Sequence, residues 1–300
     1  MKDVLNSKIV TSYLTRTLII GMFLVNNSLF AQDDINKGIE IFEKQNYYGA
    51  QKYFIDFLKN NPDDPTAYYY LGRISFAMDD FEVASDHFDK ATDLDDSNTD
   101  FFTWKGITYI ELLSRVDFMK QGLYAPRALN ALEKAVDLDP ENVDARLWLA
   151  GYYAQAPSFA GGSKDGARKE FETIIEIDPA FIPVYTQKAI FLIGVEEYDE
   201  AFTTLEKAIS LNPDDFESYF FMGVLSAKSG KYDTQGIMSL KKFIEQVPEN
   251  QNESIDEAWW YLGTIYNNEG NINEAKKAYE QAISINPEKE DYKKSLKRIM

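Results

Sequence analysis

The run AWWYLGTIYNNEGNINEAKKAYEQAISINP, residues 258–287, decides the fold. Trp259, Leu262 and Tyr266 fall three and four positions apart, so they share one helical face. Gly263 stands within that stretch, where glycine costs roughly 1 kcal/mol relative to alanine. Lacking a side chain, it lets a partner helix approach closely. Gly270 and Asn271 interrupt the pattern. Ala275, Tyr279 and Ala282 then stripe a second helix, and Pro287 follows its end.

Earlier segments repeat this pair. The closing prolines are Pro62, Pro140, Pro179, Pro213, Pro248 and Pro287, with Asp96 in the slot after Pro62. Successive spacings are 34, 44, 39, 34, 35 and 39 residues, a base period of 34 with insertions. Repeat one has Gly38, Ala50 and Phe54; repeat two has Tyr68, Leu71, Gly72, Ala84, Phe88 and Ala91. Repeat three has Phe102, Gly106, Tyr109, Ala128, Leu132 and Ala135, and repeat four has Leu149, Ala150, Tyr153, Ala167, Phe171 and Ile174. Repeat five has Tyr185, Ala189, Ala201, Leu205 and Ala208, and repeat six has Tyr219, Met222, Gly223, Leu240 and Phe243. Gly236 replaces the usual alanine of the second helix, so repeat six is the least typical.

This pattern resembles the tetratricopeptide repeat, W-x2-L-G-x2-Y, then A-x3-F, then P. The resemblance covers nearly everything from Gln32 to Pro287. It implies an all-α, right-handed superhelical solenoid of about seven helix-turn-helix repeats in one elongated domain over 32–287. The segment 288–300, EKEDYKKSLKRIM, places Tyr292, Leu296 and Ile299 on one helical face. It is expected to be the capping helix that the last repeat of a stack needs.

The resemblance also implies that the first helix of each pair lines a concave groove. Residues off the packing stripe are then free to meet a partner: Tyr69, Arg73 and Phe76 in repeat two, Thr103, Ile107 and Glu111 in repeat three, Ile190 in repeat five, Phe220 and Val224 in repeat six, and Trp260, Thr264, Asn267 and Asn268 in repeat seven. Aromatic and arginine side chains are frequent anchors of interfaces. An extended or helical peptide is the expected occupant. Family members that capture the acidic tails of cytosolic chaperones use a Lys/Asn clamp on consecutive first helices. Here those faces carry Ile35, Ile39, Tyr69 and Arg73, which make no such clamp.

Two insertions depart from the period. SRVDFMKQGLYAPR precedes Ala128, and QAPSFAGGSKDG precedes Ala167. Both are expected to lengthen the turn inside a pair and to project from one edge, in contact with each other or as a second contact site. Phe118, Leu123, Tyr124, Pro157 and Phe159 are the apolar residues such loops do not need for solubility.

The first 31 residues read differently. Lys2, Lys8 and Arg16 precede the apolar run from Leu18 to Val25, and a polar stretch ends at Ala31. This is the order of a secretory signal peptide cleaved after Ala31; a retained signal-anchor is the alternative. Its loss takes the net charge from −18 to −20, because 1–31 holds three basic residues and one acidic. So acidic a surface disfavours nucleic acid and anionic lipid as partners. The chain has no cysteine, which removes disulfides, thiolate metal sites and thiol catalysis. Export to a periplasm or the exterior is expected, with no stable membrane insertion afterwards.

No catalytic set emerges. His87 is the sole histidine and no G-x-S-x-G elbow accompanies it. Gly161-Gly162-Ser163-Lys164 lacks the order of a phosphate loop and reads as a turn, with Ser163 or Asp165 near the next helix start. Asp93, Asp95 and Asp96 lack the glycine and terminal glutamate of a calcium loop. The expectation is a non-enzymatic scaffold, without cofactor or metal, that binds a protein or peptide partner and helps assemble an envelope or secreted complex. A periplasmic component holding a small solute in an enclosed pocket is the alternative.

Overall fold

The computed structural model describes residues 32–248 and 254–300; the signal-peptide reading of 1–31 lies outside them. Described residues form fifteen α-helices and one short 3-10 helix, with no strand. The pairs are α1 (Gln32–Glu43) with α2 (Tyr47–Leu58), α3 (Pro65–Ala77) with α4 (Phe81–Leu94), α5 (Thr99–Arg115) with α6 (Phe118–Leu138), and α7 (Val143–Gln155) with α8 (Lys164–Ile177). Then come α9 (Ile182–Gly194) with α10 (Tyr198–Leu211), α11 (Phe216–Ser229) with α12 (Asp233–Gln246), and α13 (Ile255–Asn268) with α14 (Ile272–Ile285). The last helix is α15 (Glu290–Ile299). The chain divides into two compact units, Met1–Ile177 and Asp178–Met300.

Local chemistry starts the helices. Side chains of Asn46, Asp64, Asp80, Asn98, Asn142 and Asn271 each accept a backbone N–H of the first turn, satisfying donors that a helix start leaves open. Ser163 Oγ accepts from Gly166 N at 2.9 Å, so the Gly-Gly-Ser turn ends in an N-cap, as its sequence suggests.

First and second helices are buried differently. In the N-terminal unit α3 packs on α4, on α2 and on α1, and α5 packs on α6, α4 and α3. In the C-terminal unit α11 meets α12, α10, α9 and α13. A first helix therefore has neighbours nearly all round. Phe220 to Ser226 of α11 and Leu147 to Tyr152 of α7 are buried without a break. Second helices bury a stripe only: Ala84, Phe88 and Ala91 in α4; Ala201, Leu205 and Ala208 in α10. Glycines set the spacing within pairs. A methyl on Gly72 would stand 2.7 Å from the Phe88 ring, and one on Gly223 2.2 Å from Leu240 Cγ.

The turns between first and second helices reuse one backbone state. Gln45, Asp79 and Glu196 have φ of 58°, 61° and 65°; Gly230 and Gly270 have φ of 64° and 77°. Left-handed φ strains a residue with a Cβ but not glycine. Glu196→Gly is therefore expected to stabilise the protein by roughly 0.5–1 kcal/mol, after the glycine's larger unfolded entropy is counted. Urea unfolding measures it; a lower midpoint contradicts the strain argument.

Helix α15 packs on α13 and α14 as a cap. Tyr292 is buried beside Trp260, and its hydroxyl donates to Asp256 at 2.9 Å. Asn286 Nδ2 donates to the same carboxylate at 2.9 Å.

Candidate binding face

The groove residues expected from the sequence fall into two groups. Tyr69, Phe76, Thr103, Ile107 and Glu111 are buried in the N-terminal unit, and Ile190, Phe220 and Val224 in the C-terminal unit. They pack rather than project. Tyr69 lies tilted against Phe101 at 5.0 Å, Phe76 meets Trp104 at 5.3 Å, and Phe220 meets Tyr261 at 5.9 Å, each on the next repeat. A single packing stripe would leave one face of each first helix open. Contact between successive first helices closes most of it. Arg73, Trp260, Thr264 and Asn267 stay half-buried and Asn268 is exposed. The Trp260 indole N–H donates to Ser295 Oγ at 3.0 Å, so its polar edge serves the cap.

In the N-terminal unit, Arg73 is a half-buried cation on this face. Its guanidinium lies 3.9 Å from the Trp104 ring centre, with Phe42 and Tyr69 at 5.3 and 5.6 Å. It donates to the Tyr69 hydroxyl at 2.8 Å. Burial pushes Asp100 above the usual carboxylate range, opposed by Arg73, and pushes Asp144 up with Asp100 adding to the effect. Burial likewise raises Glu111, and Arg115 opposes it.

Asp100 and Asp144 hold one register position of the repeat. Each lies six residues before the small residue of its first helix, Gly106 or Ala150; Glu217 and Glu257 stand likewise before Gly223 and Gly263. Apolar periodicity passes over these positions, although their spacing is legible in the sequence.

In the C-terminal unit, Asp215 accepts from Ser218 Oγ at 2.6 Å and from Thr186 Oγ1 at 3.4 Å. Glu217, two residues on, has its Oε1 sealed from solvent with no hydrogen-bond partner, while the residue as a whole is partly covered. Burial, with Asp215 adding repulsion, pushes its carboxyl to about 8. An acid raised on folding holds its proton longer when folded. Stability is thus full below the unfolded value near 4.5, falls as pH rises, and levels off above about 8. Glu217→Gln is expected to melt higher than the parent at pH 9 and alike at pH 4; calorimetry at the two pH values measures it.

The insertion before Ala128 does not form a lengthened turn. It is helical, extending α5 and α6, with Val116 and Asp117 as the joint and Pro126 inside α6. Phe118 opens α6, and its side chain lies outside the described residues. The second insertion holds the 3-10 turn Ser158–Ala160 and packs on α6. Tyr152 Oη donates to the carbonyls of Ala125 and Ala160 at 3.0 and 2.6 Å, joining the two insertions. Tyr124 lies 5.7 Å from the Tyr109 ring; Leu123, Pro157 and Phe159 are exposed.

Burial lowers the pKa of half-covered His87, whose ring neighbours Tyr68. Among the described residues no group of three or more His, Asp or Glu is placed to hold a metal, and no helix is long and apolar enough to cross a membrane.

Family models described as tetratricopeptide repeat match residues 36–99, 117–180, 182–215 and 256–289, about two-thirds of the chain. The chain belongs to the tetratricopeptide repeat family. A TPR repeat-containing protein of Methanocaldococcus jannaschii, MJ1428, is 22% identical over 92% of this chain and 40% of its own length. The mitochondrial import receptor subunit TOM70 of Homo sapiens is 25% identical over 68% of this chain and 31% of its own length. The chain thus spans less than half the length of these relatives. A solved tetratricopeptide repeat protein from Parabacteroides merdae has a TM-score of 0.64 at 20% identity, covering 90% of this chain and 98% of that one. PilW, a type IV pilus biogenesis factor, has a TM-score of 0.63 at 15% identity, covering 77% and 99%. These likenesses show the tetratricopeptide fold. Proteins of this family generally mediate protein or peptide binding and complex assembly, and the repeat is typically non-enzymatic.

Proposed function

We propose that this tetratricopeptide repeat protein is an exported, non-enzymatic scaffold that binds a polypeptide along its first-helix faces and so assembles a complex in the bacterial envelope or outside the cell. The supporting observation is the ionisable set on those faces. A stack needs only apolar residues there, yet Arg73, Asp100, Asp144 and Glu217 are held part-buried or sealed, against their solvation. Ionisable groups kept at such cost are better explained by recognition than by packing. The basic, apolar, polar order of 1–31 supports export.

Affinity capture from the exporting cell tests the binding reading. The parent chain should retain a polypeptide, and Arg73→Gln together with Asn268→Ala should retain at least several-fold less while melting cooperatively. Repeated recovery of a small metabolite and no polypeptide refutes the scaffold. Amino-terminal sequencing of the exported protein should read from Gln32; an intact Met1 on cell-associated protein refutes cleavage.

A further inference from the structure

Two of the carboxylates at this register position, Asp100 and Glu257, have a cation at hand, while Asp144 is acted on by Asp100 alone. Asp100 feels Arg73, which follows Gly72 directly in the preceding repeat. Glu257 pairs with Lys289 at 2.5 Å. Glu217 has neither. The residue of repeat five equivalent to Arg73, following Ala189 directly, is Ile190. The charged group acting on Glu217 is Asp215, of the same sign, whose carboxylate is already engaged by Ser218 and Thr186. Ser218 and Thr186 also bond each other at 3.0 Å, so neither hydroxyl is aimed elsewhere. Glu217 therefore heads a stripe of buried apolar residues, Phe220 and Val224, with one sealed oxygen lacking a donor.

Resting on the polypeptide-binding reading, we infer that Glu217 is the seat for one basic side chain, lysine or arginine, of the bound polypeptide. The chemistry selects that class. A sealed carboxyl oxygen is relieved by a charged N–H donor, whose arrival favours the ionised form of Glu217, and charge-assisted bonds of this kind are the strong ones. The apolar stripe beside it suits a methylene stem, which long basic side chains carry behind their charged tip. A metal ion is a poor alternative, since no group of three or more ligating side chains is assembled among the described residues. Glu217 as a whole is only partly covered, so an incoming side chain can reach part of it from solvent. The net charge of −18 draws basic polypeptides toward the surface before the specific contact forms.

The test uses a displayed random dodecapeptide library selected separately on the full chain and on Glu217→Gln, each first shown to melt cooperatively. Parent-selected peptides should share one lysine or arginine position that Glu217→Gln does not select. The best parent peptide is then synthesised with norleucine at that position, and binding is read by fluorescence anisotropy. The substitution should weaken binding to the parent at least tenfold and leave binding to Glu217→Gln within twofold. Enriched peptides with no shared basic position, or an equal loss in both proteins, overturn the Glu217 seat and leave polypeptide binding standing. No enrichment on either protein overturns the binding reading and the seat together.

Discussion

Phe88→Ala should lower the unfolding free energy by about 3–5 kcal/mol. Phe88 is wholly buried on α4, its ring seated against Gly72 of α3 and stacked 6.3 Å from Trp104 of α5. It thus joins its own repeat to the next. Truncation loses the transfer free energy of the ring and leaves a cavity between three helices, which relax only in part. Stabilities of whole domains run to about 5–15 kcal/mol, so the loss is a large share. Urea unfolding followed by circular dichroism should show a much lower midpoint. Val83→Ala, at an exposed position on the same helix, should move it little. Comparable midpoints for the two variants would mean that the stack is not held through its second-helix aromatics.

Gly223→Val should cost about 3 kcal/mol, by crowding rather than by a cavity. A Cβ there would lie 2.2, 2.4 and 2.6 Å from three carbons of Leu240, which is itself fully buried on α12. The branch point of Leu240 is among them, so a rotation of its end does not clear the clash. Helix propensity works the other way, since valine is the better helix former, but by less than about 1 kcal/mol. The crowding term wins. Combining Gly223→Val with Leu240→Ala should recover part of the loss, giving a coupling above about 0.5 kcal/mol in the double-mutant cycle. At Gly194 nothing lies within 4 Å of an added Cβ, so Gly194→Ala should be near neutral. Strict additivity at Gly223 and Leu240 would show that the close approach of α11 and α12 is not what the glycine serves.

These two residues show what kind of information the chain writes openly. Phe88 and Gly223 recur in register with Phe54, Phe171 and Gly263, and each recurrence repeats one packing event inside a pair. Pair packing is local in sequence, so its signature survives as a period. Contacts between successive first helices carry no such signature. Phe220 against Tyr261 and Tyr69 against Phe101 join residues about a repeat apart, on faces a single helical wheel leaves open. Eight expected partner-facing residues proved buried for that reason.

About ten extra residues before Ala128 break the period and so read as a lengthened turn. Helix α6 runs through Pro126 instead, its first turns held by the second insertion through Tyr152. A proline costs a helix one hydrogen bond, and neighbouring structure outweighs that cost here.

The sequence by itself determined the helix pairs, their number, the capping helix and the tetratricopeptide family, because each follows from spacings within about 34 residues. Only the tertiary structure decided which polar groups matter. Asp100 and Glu217 hold the same register position in their own first helices, and nothing in either segment says that one is acted on by Arg73 while the other is left without a cation. That difference is made by the neighbouring repeat, through desolvation and charge acting across helices, and neither has a period to read.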